Sequence, residues 1–310
     1  MTIALISHPD CLEHVTPPGH PERVDRLRAV EAALGTEPFA HLVRIEAPAA
    51  TDAQLLRAHP AGHLAMLAAH APRDGWASLD PDTHMSPGSL RAARRAAGAN
   101  VLAVDMVLGG EAGAAFCAVR PPGHHAERLR AMGFCLFSNA AVGALHALEA
   151  HGLSRVAIVD FDVHHGNGTQ DVFETDGRVL YVSTHEWPLY PGTGAATEQG
   201  VGNIVNVPLA GGTDGPAFRA AMQARVLPAL DAFAPELLIV SAGFDAHARD
   251  PLATLRLGTD DFAWVTHRLC DVADAHCRGR VVSTLEGGYD LEALARSVAA
   301  HVQVLAERAP

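Results

Sequence analysis

Short runs of branched, aromatic and small apolar residues recur along the chain, at Ile3–Ile6, Leu42–Ile45, Ala114–Val119, Val156–Phe161, Val179–Ser183, Ile204–Pro208, Leu237–Ser241 and Val281–Leu285. Several are continuously apolar rather than alternating, as expected of strands covered on both faces. Helical patterns lie between many of them. Leu90, Ala93, Ala97, Val101, Val104 and Leu108 advance by three and four residues into one stripe, after the cap candidates Ser86 and Ser89. Residues 138–151, 215–233, 259–277 and 291–307 carry the same period. Strands alternating with helices predict an α/β fold with a mostly parallel sheet flanked by helices. No internal repeat, low-complexity tract or Ser/Gly/Pro linker interrupts the pattern, so one domain over residues 1–310 is expected. Ligands of such sheets bind beyond the carboxyl ends of the strands, which is where chemistry should be sought.

Composition narrows the class. Of 310 residues, 48% are hydrophobic and 19% charged, enough for a large core and unlike a disordered chain. The formal net charge of −12 argues against a nucleic-acid binder, which needs a basic face. No apolar run reaches the roughly 18 residues that span a bilayer, so no membrane partner is expected. Met1–Ile6 has no basic leader, so no secretory signal is read there. Five cysteines at scattered spacings, with no Cys-x-x-Cys, indicate neither a disulfide framework nor a cysteine zinc knot, and a reducing cytoplasm is the expected compartment. All 23 basic residues are arginine, which reads first as coding bias.

Four strand ends hold the candidate chemistry. After Val156–Phe161 the chain reads Asp160-Phe161-Asp162-Val163-His164-His165-Gly166-Asn167-Gly168. Alternate residues at a strand end point to one side, so Asp160, Asp162 and His164 can converge, and carboxylate oxygen with imidazole nitrogen is a common zinc donor set. A lone Asp-x-Asp is as well explained by helix capping; the adjacent His pair and two glycines favour the metal. After Ala114–Val119 comes Arg120-Pro121-Pro122-Gly123-His124-His125-Ala126, a stiff loop presenting two histidines suited to acid–base work. A surface His pair is the competing explanation in a chain with 19 histidines. Ser241-Ala242-Gly243-Phe244-Asp245-Ala246-His247 offers Asp245 either as a third metal ligand or as a turn cap. Glu286-Gly287-Gly288-Tyr289-Asp290 offers Tyr289 either as a hydroxyl donor over a pocket or as a packed ring. His59, His63, His70, His146, His151, His276 and His301 lack such settings and are read as structural or solvated.

Together these segments resemble the histone deacetylase and acetylpolyamine amidohydrolase superfamily, most closely its class II members and their bacterial relatives. The likeness covers nearly the whole chain. It starts at Gly19-His20-Pro21-Glu22-Arg23, and runs through Leu79-Asp80-Pro81-Asp82-Thr83-His84-Met85-Ser86-Pro87-Gly88-Ser89 and the four motifs. Gly133-Phe134-Cys135 and Tyr190-Pro191-Gly192-Thr193-Gly194 also belong to it. The resemblance implies the arginase–deacetylase fold with an eight-stranded, mostly parallel sheet. It implies Zn2+ held by Asp162, His164 and Asp245, and His125 as general base beside an electrostatic partner, His124. It implies further that Asp160 orients His124, that Asn167 orients His125, and that Tyr289 donates to the substrate carbonyl. Class I members carry Asp where this chain has Asn167; a neutral amide stabilises imidazolium less, so His125 is expected to rest neutral. The resemblance also implies a structural K+ held by oxygens of Asp160, Asp162, His164, Ser183 and Thr184. Substrate walls fall at Gly133, Phe134, Tyr190 and Leu252, with Tyr190 replacing the usual Phe. Arg26 matches an internal arginine near an acetate exit, or else is a surface helix charge.

The function this implies is a zinc-dependent amidohydrolase that removes acetyl or a related short acyl group from the ε-amine of lysine or a similar amine. An acylated lysine or acylated small amine is the expected partner, and a homo-oligomer is compatible with the sequence. The alternatives are an acetylpolyamine deacetylase and a non-catalytic acyl-ligand binding protein. The second has no physical need to retain a general base and an oxyanion donor together. Polyamine-selective relatives carry an acidic gatekeeper in an Asp-Pro-Glu stretch, where this chain has Asp250-Pro251-Leu252, and residues 64–89 are too short for their channel-narrowing loop. Lysine is therefore expected over polyamine, unless Asp250 turns into the channel. The same donor set suits zinc or ferrous iron.

Overall fold

All eight apolar runs become strands of one sheet in the computed structural model, which describes residues 2–309. Met1 and Pro310, the two ends of the expected 1–310 domain, lie outside the described residues. In spatial order the strands are Val43–Glu46, Ile3–Ser7, Ala114–Cys117, Val281–Leu285, Leu237–Ala242, Val156–Asp160, Val179–Trp187 and Ile204–Ala210. Every neighbouring pair is parallel. The continuous apolar runs explain the middle of the order: Ala114–Cys117, Val281–Leu285, Leu237–Ala242 and Val156–Asp160 are buried at every position. The edge strand Val43–Glu46 is largely exposed and correspondingly charged. Helices flank the sheet. Ser89–Gly109 packs on Asn139–Ala150, and Thr259–His276 packs on Leu291–Arg308, which also meets Val24–Leu34. Among the described residues no helix is long and apolar enough to cross a membrane.

Two departures from the sequence pattern have physical causes. The expected single helix over 215–233 contains a π turn at Met222–Val226. Pro228 follows it; with no N–H and a ring that crowds the preceding turn, it favours a local widening of the helix. The helix Val24–Leu34 was not legible because Arg26 interrupts its apolar stripe, yet Arg26 is fully buried with Leu27, Val30 and Leu34.

The sheet order places the chemistry. The four strands that precede the four motifs are consecutive neighbours. Because they are parallel, all four carboxyl ends open on one edge, and the loops after them meet there.

Candidate active site

The loop after Val156–Asp160 doubles back on its own carboxylates. Asp160 Oδ1 accepts from the Asp162 amide at 3.1 Å, and Asp162 Oδ1 accepts from the His164 amide at 2.9 Å. The loop after Leu237–Ala242 adds Asp245, whose Oδ1 accepts from the Val163 amide at 2.8 Å. The loop after Val281–Leu285 adds the Gly287 amide, which donates to Asp162 Oδ2 at 2.8 Å. His164 Nδ1 then stands 3.1 Å from Asp162 Oδ1 and 3.2 Å from Asp245 Oδ2. One atom from each of Asp162, His164 and Asp245 falls within 4.8 Å of the others, and all three residues are buried. Gly243 and Gly287 are required here, since a Cβ at Gly243 would strike the Asp162 carboxylate and one at Gly287 would strike the Asp162 and Asp245 carboxylates.

The donor set fits a divalent metal. Burial opposes charge on His164, but the hydrogen bonds to Asp162 and Asp245 outweigh it and raise the imidazole to about 10. A positive charge is therefore demanded between the two carboxylates, and a dication satisfies that demand as a proton does. Two carboxylate oxygens and one imidazole nitrogen match a three-ligand zinc site that keeps an open position. A second group, Asp105, His146 and His151, also approaches ligating distance. There Arg57 Nη1 lies 2.7 Å from His146 Nδ1 and can only donate, so His146 keeps its proton on Nε2, which reaches Asp105 Oδ1 at 2.7 Å. That cluster is satisfied by hydrogen bonds and carries a guanidinium alongside.

The two adjacent histidines are driven apart in charge. His124 Nδ1 lies 3.0 Å from Asp160 Oδ2, and its Nε2 is 3.8 Å from Asp162 Oδ1. Burial alone would depress it, but Asp162 and Asp160 hold it well above the ordinary histidine range. For His125, burial followed by the His124 and His164 charges pushes the imidazole well below that range. Its tautomer follows from its neighbours. Asn167 Nδ2 points at the Glu127 carboxylate, 2.7 Å away, which can only accept. Asn167 Oδ1 must then face His125 Nδ1, at 2.8 Å, so Nδ1 carries the proton and Nε2 is the free base.

Tyr289 stands on the Val281–Leu285 loop with its hydroxyl pushed well above its usual range by burial. Its ring lies over the Arg26 guanidinium, 4.8 Å from carbon to centroid, and its amide donates to Asp250 Oδ2 at 2.7 Å. A cavity of about 230 Å³ leads down to this group, lined by His125, Gly133, Phe134, His164, Tyr190, Leu252 and Tyr289, with Leu189 and Asp82. Phe134 packs edge-on to Tyr289 and His20 at 6.0 and 4.7 Å, while Tyr190 packs edge-on to His125 at 5.1 Å. Gly133 and Phe134 both have positive φ, 55° and 68°, and a Cβ on Gly133 would strike the His125 ring.

The remaining expectations fall as follows. Ser183 pairs with Asp160 in the strand ladder, but its Oγ is taken by His185 Nδ1 at 2.9 Å; Thr184 Oγ1 is buried without a partner. The surface reading of Arg26 is overturned, because the side chain is fully buried and donates to Glu22 Oε1 at 2.9 Å and to the Gly288 carbonyl at 2.6 Å. Asp250 does not turn into the channel: its oxygens accept from the Leu252 and Tyr289 amides. Three groups escaped the sequence reading. Glu286 accepts from the Gly123 and His124 amides at 2.7 and 3.2 Å and so ties the histidine loop to the tyrosine loop. Tyr181 donates to Asp160 Oδ2 at 3.0 Å. Asp82 sits at the channel mouth.

Comparison with known proteins now decides the family. Residues 20–305 match the model of the histone deacetylase domain. The chain belongs to the histone deacetylase family. It is 43% identical over 284 residues to the histone deacetylase-like amidohydrolase of Pseudomonas aeruginosa, covering 89% of this chain and 74% of that one. It is 36% identical over 299 residues to a probable deacetylase of Archaeoglobus fulgidus, covering 94% and 82%. The crystal structure of the HDA15 HD domain superposes with a TM-score of 0.94 at 39% identity, covering 99% of this chain and 88% of that one. Membership assigns the protein to the hydrolases that act on amide bonds, with acylated amines as the substrate class.

Proposed function

We propose that this protein is a zinc-dependent deacylase, hydrolysing the amide between a short acyl group, acetyl first, and the ε-amine of lysine or a similar amine. The observation that carries this reading is the joint presence, on one channel, of the Asp162–His164–Asp245 donor set, a neutral His125 with a free Nε2, and Tyr289. A module that only binds acyl groups needs the channel but not the base.

Zinc bound by Asp162, His164 and Asp245 would polarise the acyl carbonyl and make water acidic enough to attack. His125 Nε2 takes the proton from the attacking water, and Asn167 holds the ring in the tautomer that allows it. The same nitrogen returns the proton to the leaving amine. His124, positively charged against Asp160, keeps its neighbour His125 neutral and ready at physiological pH. The Tyr289 hydroxyl donates to the carbonyl oxygen as negative charge builds on it. A structural K+ would draw on oxygens of Asp160, Asp162, His164, Ser183 and Thr184, and the unpartnered Thr184 hydroxyl is one buried oxygen left available to it.

For substrate, the rim supports lysine over polyamine. Leu252 lines the channel at the position where polyamine-selective relatives carry an acidic gatekeeper, and an apolar side chain at that position gives a distal ammonium no partner there while partly desolvating it. The reading is tested by steady-state kinetics on an acetyl-lysine peptide, longer-acyl lysine peptides and acetylated polyamines at defined zinc loading. The expected order places acetyl-lysine first. A higher kcat/KM for acetylspermidine or acetylputrescine would promote the polyamine alternative, and no turnover of any amide would reject the enzyme.

A further inference from the structure

Two histidines outside the channel hold one of its walls from behind. His59 and His63 are buried, and their rings stack with centroids 4.5 Å apart and planes 18° from parallel. Phe137 packs on both, at 5.5 and 5.8 Å. His59 lies just before the helix Ala61–His70 and His63 in its first turn, so one rigid element carries the stack.

The ring nitrogens all reach the segment 128–138. The Ser138 amide donates to His59 Nε2 at 2.9 Å. That nitrogen is therefore bare, and the proton on Nδ1 is donated to the Arg128 carbonyl at 3.2 Å. His63 Nε2 lies 2.8 Å from the Leu136 carbonyl, which can only accept, so Nε2 carries the proton there. Burial lowers both imidazoles, His59 to about 3, so the rings are neutral and these tautomers persist at physiological pH. The pair thus ties down both ends of the loop: Arg128 at its start, Leu136 and Ser138 at its end.

The middle of the loop touches the site. Gly133 and Phe134 line the channel, and both have positive φ. A bulky residue in that region stays there only where its surroundings hold it. The Cys135 amide closes the turn on the Met132 carbonyl at 2.9 Å, and Thr83 Oγ1 accepts from the Phe134 amide at 3.0 Å. Met132 Sδ lies 3.3 Å from Asn167 Nδ2, on the side chain that orients His125. Gly133 faces the His125 ring too closely for a Cβ. A shift of the loop ends would therefore move the wall and press on the base together.

We infer that His59 and His63 are positioning residues: they clamp the loop 128–138 at both ends and so set how closely the Gly133–Phe134 wall approaches the substrate. The inference rests on the deacylase reading above and adds to it two determinants of acyl selectivity. Neither ring lines the channel, so neither acts by touching the acyl group.

The test uses one lysine peptide bearing either acetyl or butanoyl. A wall held less firmly admits the longer chain more readily. His63→Phe keeps a ring in the stack but loses the donor to Leu136, and should lower the acetyl-to-butanoyl ratio of kcat/KM by roughly threefold or more. His63→Gln places an amide donor at the level of Nε2 and should retain most of the wild-type ratio. His63→Asn, whose amide stops at the level of Nδ1, should behave as His63→Phe and carries the test if the ring replacement does not fold. A loss of active protein scales both rates alike, so a merely structural role leaves the ratio unmoved. His59→Phe removes the partners of Ser138 and Arg128. Hydrogen exchange read by mass spectrometry should then quicken by roughly tenfold over 128–138 and stay unchanged over Val156–Asp160. An unchanged ratio in the donor-less His63 variant, a ratio that falls equally in His63→Gln, or loop exchange in His59→Phe that is unchanged or quickens only with the whole protein, would overturn this inference and leave the deacylase reading standing. No turnover of either peptide by the wild-type zinc enzyme would overturn both.

Discussion

Replacing Asn167 by Asp tests the proton logic of the site through one atom. Asn167 Oδ1 accepts from His125 Nδ1 at 2.8 Å, and both residues are buried. A carboxylate there places a full negative charge about 4 Å from the centre of the imidazolium. At an effective dielectric of about 20 that is worth about 4 kcal/mol, or roughly three pH units, in favour of the protonated ring. Glu127 reduces the effect: its carboxylate lies 2.7 Å from Asn167 Nδ2, so the substitution replaces a donor with a like charge. A net rise of about 1–2 pH units in the His125 pKa remains. The base must be neutral to accept a proton, so the acidic limb of kcat/KM should move up by the same amount from its wild-type position, with activity on that limb lost roughly tenfold or more and recovered as the pH is raised. A full pH profile on an acetyl-lysine peptide measures this, and the limb position is independent of the fraction of active protein. A limb that stays in place or moves down would refute His125 as the base and Asn167 as its tuner.

Three further outcomes are expected. Tyr289→Phe should keep fold and zinc content but lower kcat by ~10²–10³, since the ring still packs on Arg26 while the donor is gone; stopped or discontinuous acetate release measures it. Leu252→Glu should shift the kcat/KM ratio of acetylspermidine to acetyl-lysine peptide upward by roughly threefold or more, by placing an anion where the distal ammonium passes, and an unchanged ratio would count against the rim. Glu22→Ala should destabilise the protein by about 3–5 kcal/mol in urea unfolding, because Arg26 and Arg120 would keep buried charges without their carboxylate.

How much of this was legible depended on how locally each feature is encoded. Asp162, His164 and Asp245 follow buried apolar strands directly, so the pattern that forms the strands also announces where their ends lie. The sheet order, which makes four separate motifs adjacent, is a property of long-range pairing and left no mark on any one segment. Partners distant in sequence were missed for the same reason. Glu286 binds amides 163 and 162 residues away, and Arg26 reaches the Glu286 and Gly288 carbonyls across the fold. Arg26 was ambiguous because a charge on a helix normally faces water, and what compensates its burial, the Glu22 carboxylate with the Glu286 and Gly288 carbonyls, is assembled only by the fold. Asp82 was visible as a residue but not as a wall, because the short antiparallel ladder Ala77–Ser78 with His84–Met85 that presents it has too few residues to show a period.

The central claim is tested most directly by zinc-dependent turnover in wild type and Asp162→Ala. Chelated wild-type enzyme should release no acetate from an acetyl-lysine peptide and should regain activity in proportion to added zinc, saturating at one equivalent per chain. Asp162→Ala, with one of three protein ligands removed, should show neither bound metal nor turnover after the same treatment. Full activity in the chelated enzyme, or one tightly held zinc in an active Asp162→Ala protein, would contradict it.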